Sequence, residues 1–453
     1  MSLPITRLLF AVALFAFFAE GCSTARTAKH VVLISLDGSR TDFYMDTSWP
    51  APHLQRLKEE GVYAAGGIRS VFPSVTYPSH TTLVTGAFPA RHGIYYNVPI
   101  GAKKGHWYWN ENAIKCETLW KAVKDAGMTS GAVFWPVSVG APINYNFPVR
   151  RVEAGETGNN LTIKLPFITP PGLLKDIEKK TGRKFTASDL TQDDYAQSKT
   201  IGTIACYIIK TYKPNLMAIH FVGIDHKEHE YGREGAPVRE VVRVTDSLVG
   251  TVLQTIKEAG IEETTTVIVT GDHGFADNRA YFKPNVYLAR HGLIKAHKWA
   301  AKFHAAGGSS FLYLGDKADS ADVLDSVVAL LKATPEYHQG YFRMLDRKTL
   351  DSIGADPHAF LALAMKEGIS ARNGTDGPAS GKNDHGGGHG YDPAYPDLHT
   401  GFIAVGAGIS AHKNIAGMGI KDVAPVVAKL LGLSFKAPDG VLIPGILADK
   451  GNK

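Results

Sequence analysis

Alternating apolar runs and helical patterns along the chain predict an α/β fold. Short apolar runs rich in β-branched residues predict buried strands at 31–36, 131–135, 216–224, 264–270 and 402–405. Apolar residues recur at helical spacing over 117–126, 238–259 and 423–431, and each of these segments is followed by a glycine. The order of these elements predicts a mostly parallel central sheet with helices on both faces.

Two long segments interrupt this alternation. Residues 142–194 contain clusters of Pro, Asn and Thr with short periodic pieces, and residues 284–378 hold a further strand near 310–314 and a helix over 321–332. Strands and helices of the main pattern continue on either side of both segments. We therefore predict one catalytic domain over 29–446, with insertions near 142–194 and 284–378.

The first residues predict an export signal rather than part of the fold. Arg7 precedes an apolar run over 8–18, which suits the core of a signal peptide and is too short to span a membrane. We predict a signal peptide over 1–21 and a linker over 22–28. Cys22 resembles a bacterial lipoprotein acylation site, and cleavage without acylation is the alternative. The predicted location is the bacterial periplasm, a membrane reached by a lipid anchor at Cys22, or the medium.

Composition and charge narrow the class of protein. The 453 residues are 44% hydrophobic, which excludes a disordered chain, and Lys+Arg 49 against Asp+Glu 43 leaves a net charge of +6 without a basic run. A nucleic-acid-binding protein normally concentrates its positive charge, so we predict no sequence-specific binding of nucleic acid. Cys116 and Cys206 can form one disulfide or remain separate thiols, and sequence leaves both open.

Acidic and histidine side chains follow the predicted strands. Ligands of an open parallel sheet bind at the carboxyl ends of its strands, so residues placed there are expected to converge. Carboxylate and imidazole groups suit zinc or a similar divalent ion. The candidates after the strands and in the glycine-rich loop over 384–390 are Asp37, Asp225, His229, Asp272, His273 and His389.

A loop over 72–80 carries several hydroxyl groups framed by Pro73 and Pro78. Proline restricts the backbone and can hold a hydroxyl in a fixed direction. Spacing alone does not choose between Ser74, Thr76 and Ser79 as a nucleophile.

Several motifs in one order resemble the nucleotide pyrophosphatase/phosphodiesterases of the alkaline phosphatase superfamily. Each motif is weak alone, whereas the ordered set is specific and spans most of the chain. The motifs lie at 36–38 (LDG), 72–86 (FPSVTYPSHTTLVTG), 92–97 (HGIYYN), 134–136 (FWP), 225–229 (DHKEH), 271–274 (GDHG), 389–392 (HGYD) and 430–433 (LLGL).

The resemblance implies an alkaline phosphatase-like fold and a two-zinc hydrolase. Its substrate would be a small phosphodiester or nucleotide, cleaved through a phospho-threonine intermediate; other divalent metals could replace zinc. Thr76 would be the nucleophile, and Asn97 would hydrogen-bond a phosphoryl oxygen. The first zinc would be held by Asp37, Thr76, Asp272 and His273, and the second by Asp225, His229 and His389.

Three positions depart from the pattern of that family. Ser79 stands where Asn is common, and the segment 225–229 lacks the usual glycine before its last histidine. His220 occupies the place of an aromatic residue that commonly flanks a nucleotide base. Tyr77 is then the remaining candidate for stacking on a substrate. His226 is the main rival of His229 as a ligand.

Other functions differ in features that the sequence can show. Monoesterases of the superfamily carry a Lys-x-Arg clamp after the strand near 131–135, and its absence here favours diesters, unless Lys164 or Arg150 replaces it. A Thr-dependent phosphate monoesterase and a phosphonate hydrolase remain alternatives, whereas a sulfatase is disfavoured because no Cys/Ser-x-Pro-x-Arg occurs. An exported metal-binding protein without turnover is the alternative from another class, although it would not need the loop over 72–80.

Overall fold

A computed structural model describes residues 27–449 except 104, 192–193, 296–297, 316–319 and 384. The predicted signal peptide over 1–21 and Cys22 lie outside these residues. Among the described residues, no helix combines the length and apolar character needed to cross a membrane. Cys116 and Cys206 are both free thiols. The alternative of separate thiols therefore describes this fold, and the disulfide does not.

The helices are mostly short, and the two longest, α7 (Asp194–Tyr212) and α9 (Ala236–Glu258), precede and follow strand β5 (Leu216–Phe221) along the chain. The α-helices are α1 Asp42–Met45, α2 Pro52–Glu60, α3 Thr76–Thr85, α4 Pro89–His92, α5 Leu119–Asp125, α6 Leu173–Thr181, α7 Asp194–Tyr212, α8 Gly223–Tyr231, α9 Ala236–Glu258, α10 Pro284–Arg290, α11 Ser320–Lys332, α12 Glu336–Gln339, α13 Arg347–Ser352 and α14 Val423–Leu431. Short 3-10 helices lie at Glu111–Ala113, Leu165–Phe167, Ala187–Leu190, Glu262–Thr264, Pro396–Leu398 and Ile420–Asp422.

The strands form one large sheet and several small ones. They are β1 His30–Leu36, β2 Val62–Tyr63, β3 Ser130–Val133, β4 Tyr145–Phe147, β5 Leu216–Phe221, β6 Thr265–Thr270, β7 Ala276–Asp277, β8 Ala280–Phe282, β9 Ile294–Lys295, β10 Lys298–Trp299, β11 Ala301–Ala305, β12 Ser309–Leu314, β13 Phe342–Leu345, β14 Leu361–Met365, β15 Ile369–Ala371, β16 Ser380–Lys382, β17 Gly387–Gly388, β18 Phe402–Gly406 and β19 Lys413–Asn414.

The central sheet has eight strands in the order β19-β2-β18-β6-β1-β5-β3-β4. Strand β1 pairs in parallel with both β5 and β6, β5 pairs in parallel with β3, and β18 runs antiparallel to β6. The sheet is therefore mostly parallel, with one antiparallel strand inside it. This confirms the predicted fold class.

Both faces of this sheet are buried under helices. Alternate residues of β1 point to opposite faces, so Val32 and Ile34 join one apolar cluster, whereas Val31 and Leu33 join another. The first cluster includes residues of α2, α7 and α9, and the second includes residues of α3, α5 and α14. Strands buried on both sides explain the continuous apolar runs in the sequence.

The two predicted insertions take different forms. The segment 142–194 contributes β4 to the edge of the central sheet and then forms α6. The segment 284–378 contains an antiparallel sheet in the order β11-β12-β14-β13 with an apolar cluster of its own, including Phe303, Leu312 and Leu363. The domain boundaries and the assignment of these segments as insertions stay predictions.

The carboxyl ends of three central strands bring the acidic residues to one edge. Asp37 follows β1, which lies between β5 and β6, and Asp272 follows β6. Strand β5 ends at Phe221 rather than near 224, because Val222 already has helical backbone angles and α8 begins at Gly223. Asp225 therefore lies in the first turn of a helix, not at the end of a strand.

Candidate active site

Helix α8 brings Asp225 and His229 together. The two residues are four apart, so they lie on one face of the helix, and Asp225 Oδ1 is 3.3 Å from His229 Nε2. His389 Nε2 reaches the same Oδ1 at 3.5 Å. These three side chains form a group whose ligand atoms all lie within 4.8 Å of one another.

Backbone carbonyls fix both histidine rings of this group. His229 Nδ1–H donates to the Gly387 carbonyl at 3.1 Å, and His389 Nδ1–H donates to the Ser74 carbonyl at 2.9 Å. With Nδ1 protonated, the neutral form of each ring carries its lone pair on Nε2, which faces Asp225. Metal-binding histidines in proteins are usually held in this way.

A second group combines Asp37, Asp225 and His273. His273 Nε2 is 3.4 Å from Asp37 Oδ1 and 3.2 Å from Asp272 Oδ2. His273 Nδ1–H donates to the Gly274 carbonyl at 3.1 Å, and Asp272 Oδ1 accepts from the Gly38 N–H at 3.2 Å. Asp225 thus belongs to both groups, and Asp272 lies next to His273 of the second one.

Several ligand atoms of these groups are buried and lack a hydrogen-bond partner among the described residues. They are Asp37 Oδ1, Asp225 Oδ1, Asp272 Oδ2 and His273 Nε2. Burial raises the pKa of both Asp37 and Asp272 well above the ordinary value, and burial lowers the pKa of His273. Uncompensated carboxylates and neutral imidazoles are a donor set for divalent cations. The residues therefore fit the metal site that the sequence predicts.

Thr76 is the first residue of α3 and is 8% exposed. It lines a cavity of about 200 Å³, which we call the threonine pocket. The other two candidate hydroxyls point elsewhere: Ser74 Oγ–H donates to the Tyr391 carbonyl at 3.0 Å, and Ser79 Oγ pairs with Ser70 Oγ at 3.0 Å. The threonine pocket is lined by Asp37, Thr76, Tyr77, Asn97, Trp107, Pro136, Val149, Arg151, His220, Val222, Asp225, His226, His229 and His389.

Asn97 and Tyr77 are held beside Thr76. Asn97 Oδ1 accepts a hydrogen bond from the Tyr77 N–H at 2.8 Å, so the Asn97 amide keeps its NH₂ group for a ligand. The Tyr77 ring packs on Trp107 and Trp109, with centroids 5.1 and 6.0 Å away. An aromatic wall therefore extends from the start of α3.

A second, larger cavity adjoins the threonine pocket. Its volume is about 480 Å³, and Asn97, His229 and His389 line both cavities. We call it the amide pocket, because two further Asn side chains contribute to it. Its lining residues are Val75, Tyr96, Asn97, Val98, His229, Asn278, His304, Ala305, Ala306, Gly307, Ser370, Asn373, Gly387, Gly388 and His389.

Comparison with known proteins identifies the family. The sequence model described as "Type I phosphodiesterase / nucleotide pyrophosphatase" matches residues 31–392. The chain belongs to this family. The resemblance drawn from the ordered motifs is thereby confirmed.

Relatives of the type I phosphodiesterase family are distant in sequence. The chain is 24% identical over 442 residues to human ectonucleotide pyrophosphatase/phosphodiesterase family member 5, covering 91% of this chain and 76% of the relative. Identity to human family member 1 is 25% over 277 residues, 59% of this chain and 26% of that protein. Mouse bis(5'-adenosyl)-triphosphatase enpp4 is 24% identical over 270 residues, 57% of this chain and 49% of the relative. This chain thus spans between about a quarter and three quarters of these relatives.

Solved structures of the phosphodiesterase family share this fold. Human family member 5 superposes with a TM-score of 0.64 at 21% identity, covering 91% of this chain and 97% of that one. An inactive form of the murine protein in complex with AMP gives a TM-score of 0.62 at 19% identity, with the same coverage of 91% and 97%.

Arg151 is a pocket residue of this phosphodiesterase family member that sequence reasoning missed. Its guanidinium lies 5.5 Å over the Trp107 ring. The two cations considered from sequence are occupied elsewhere: Lys164 is buried and donates to the Asn160 carbonyl at 2.9 Å, and Arg150 pairs with Glu156. Arg151 belongs to none of the motifs, and of the two adjacent arginines only Arg150 was considered from the sequence as a possible cation near the site.

His220 is a second residue whose role the sequence did not reveal. It lies on β5, and its Nε2 is 3.0 Å from Asp37 Oδ2 while its Nδ1–H donates to the Phe134 carbonyl at 3.1 Å. His220 therefore orients a carboxylate and does not stand open as a platform for a base. His226 also lines the threonine pocket, but the three-residue metal groups contain His229.

Proposed function

We propose that this protein hydrolyses phosphodiester or nucleotide pyrophosphate bonds, with Thr76 as the nucleophile and two divalent ions, zinc by preference, at the Asp/His groups. One observation carries the proposal: of the three candidate hydroxyls, only that of Thr76 belongs to a residue lining the cavity that Asp225, His229 and His389 also line. Membership of the phosphodiesterase family supports the same reaction.

The residues around Thr76 suit attack on phosphorus. Thr76 begins α3, so the positive end of that helix favours negative charge on the attacking oxygen and on the phosphoryl group. The free NH₂ of Asn97 would donate to a nonbridging phosphoryl oxygen as charge develops there. Thr76 Oγ1 would form the new bond to phosphorus while the ester oxygen leaves, and water would then hydrolyse the phospho-threonine.

We assign the metal ligands to the two sets that the sequence predicts, with Asp225 close to both. Asp37, Asp272 and His273 with Thr76 would hold one ion, and Asp225, His229 and His389 the other, and the buried unpaired atoms support this assignment. Bound divalent ions would act as Lewis acids that lower the pKa of the threonine hydroxyl and stabilise the leaving oxygen.

A second candidate reaction is hydrolysis of phosphate monoesters. Arg151 in the threonine pocket favours it, because a guanidinium can pair with the extra negative charge of a monoester. Diesters remain our preferred substrate class, since Lys164 and Arg150 are engaged outside the pocket and Arg151 already packs on Trp107. Comparing kcat/KM for an aryl monoester and an aryl diester with the same phenol decides between them.

Substitution of the nucleophile tests the reaction itself. Thr76→Ala should lower kcat on an aryl phosphodiester by roughly a thousandfold or more, because the attacking group is lost. Ser79→Ala is a matched control, since it removes a neighbouring hydroxyl that points to Ser70 and not into the cavity. Equal activity of Thr76→Ala and the parent enzyme would refute the proposal. Zinc content should be measured in each protein.

We further propose export of the protein, on the sequence alone. The apolar run over 8–18 and Cys22 lie outside the described residues, so the support is the pattern of a signal peptide. Mass spectrometry of the mature N-terminus tests this. A lipid-modified Cys22 identifies a membrane-anchored protein, loss of about 21 residues without lipid identifies a periplasmic or secreted one, and an intact Met1 contradicts both.

A further inference from the structure

The position of the amide pocket relates it to the departing half of the substrate. His229 and His389 line both cavities, whereas Thr76 lines only the threonine pocket. In an in-line displacement the attacking and leaving oxygens lie on opposite sides of phosphorus. If a phosphoryl group beside Thr76 turned its leaving oxygen towards the shared residues His229 and His389, the rest of the leaving group would enter the amide pocket.

Away from the residues that it shares with the threonine pocket, the amide pocket offers hydrogen bonds without positive charge. Its polar side chains beyond the shared residues are Tyr96, Asn278, His304, Ser370 and Asn373, and none of the described residues that line it is Lys or Arg. The Tyr96 hydroxyl is already hydrogen-bonded to Tyr313 and Asp356. Burial lowers the pKa of His304 to about 4, so its ring is neutral at neutral pH. A phosphate or pyrophosphate placed there would lose water without gaining a charged partner.

The orientation of these polar groups favours hydroxyls as ligands. Asn373 Oδ1 accepts from the Ala305 N–H at 2.8 Å, and Asn278 Oδ1 accepts from the Tyr391 hydroxyl at 3.3 Å. Both amides therefore keep NH₂ donors. Ser370 Oγ–H donates to the Ala280 carbonyl at 3.4 Å and keeps its lone pairs as acceptors. A hydroxyl group of a ligand can accept a hydrogen bond from the Asn NH₂ groups and donate one to the Ser370 oxygen.

We infer that the amide pocket receives the leaving group and selects an uncharged alcohol bearing several hydroxyls over a phosphorylated one. The inference rests on the proposed function and names the substrate class of the same site: diesters of a polyol or sugar rather than nucleoside triphosphates. The volume of about 480 Å³ gives room for a group of this size.

Two diesters with the same retained group test the inference. Their leaving phenols are matched in acidity, and one carries a dihydroxyalkyl substituent whereas the other carries a sulfonate. The hydroxylated substrate should have a kcat/KM at least about tenfold higher, because the sulfonate lacks a charged partner in the pocket. An equal or higher value for the sulfonate would overturn the inference. Turnover of neither substrate, or undiminished turnover by Thr76→Ala, would overturn the proposed function and this inference with it.

Variants of the amide pocket distinguish recognition of the leaving group from a general loss of activity. Asn373→Ala should reduce the preference severalfold, and Ser370→Lys should raise kcat/KM for the sulfonate by adding a cation. Asn414→Ala is the matched control: Asn414 Oδ1 also accepts a backbone N–H, from Ala65 at 2.9 Å, but lies on the edge strand β19. An unchanged preference in Ser370→Lys would overturn the inference even if Asn373→Ala failed to fold.

Discussion

The threonine pocket and the amide pocket share Asn97, His229 and His389 but differ in charge and in their other side chains. The threonine pocket has a guanidinium and the indole ring of Trp107 on its wall. The residues that line only the amide pocket include two Asn amides, the neutral imidazole of His304, the ring of Tyr96 and small apolar residues. Asn97 and two of the candidate metal ligands are thus common to both cavities. Under the proposed function, different groups on either side of them would select the two halves of a substrate.

Asp225 gives the largest expected effect, because it belongs to both metal groups. Asp225→Asn should lower activity by roughly a thousandfold or more and reduce the metal content below that of a variant in one group only. His389→Gln, which changes only the group of Asp225, His229 and His389, is the comparison. Elemental analysis of both proteins measures the metal, and equal loss in the two variants would show that the groups are not separate.

Arg151 gives the next effect and sharpens the difference between the pockets. Arg151→Gln should lower kcat/KM for a substrate with an additional negative charge on its retained half by about tenfold, the size of a charge-assisted contact at a half-buried site. A neutral diester should change little. Arg150→Gln is the matched control, since Arg150 pairs with Glu156. Similar losses for both substrates would mean that Arg151 acts on the fold and not on charge.

The smallest effect concerns the stability of the segment that carries Arg151. Burial, together with Arg151 and Arg150, lowers the pKa of Lys164 to about 7. The pKa of a lysine in the unfolded chain is about 10.4. Between about pH 7 and 10 the unfolded chain therefore binds more protons at Lys164 than the folded state does, so the free energy of unfolding increases as pH rises.

Lys164→Met should abolish this gain. The difference in unfolding free energy between the parent and Lys164→Met should therefore rise with pH in that window, by at most about 1.4 kcal/mol per pH unit. Denaturant unfolding at several pH values measures it. Lys179→Met, at an exposed position of α6, should leave the pH dependence unchanged. If the difference in unfolding free energy between the parent and Lys164→Met did not change with pH, the pKa of Lys164 would not be lowered in the folded protein.

Much of the sheet could be predicted from the sequence, because strands buried on both faces need unbroken apolar runs. The predicted strand over 264–270 is Thr265–Thr270, and the predicted helix over 423–431 is Val423–Leu431. The predicted end of the strand over 216–224 was wrong, because the apolar run continues from β5 into α8 without a change in composition. Asp225 is consequently a helix residue, and this sets its i,i+4 relation to His229.

The residues that line the pockets were harder to predict than the acidic residues near the sheet edge. The ordered motifs brought attention to Asp37 and Thr76, because strand ends and proline-framed loops leave a pattern in the sequence. His220 contacts Asp37 only because β1 and β5 pair with Leu36 opposite Phe221. Arg151 reaches the threonine pocket through the path of a loop after β4, which follows no periodic pattern.

Parts of the walls of the two pockets come from separate stretches of chain. Trp107, Val149 and Arg151 line only the threonine pocket, whereas His304, Ser370 and Asn373 line only the amide pocket. Sequence changes in one stretch can therefore accumulate while the other stretch and the ligands near the sheet edge stay as they are. Such an arrangement allows specificity for one half of the substrate to change during evolution while specificity for the other half is kept. In the laboratory, the two stretches can be randomised in independent libraries and the selected variants combined.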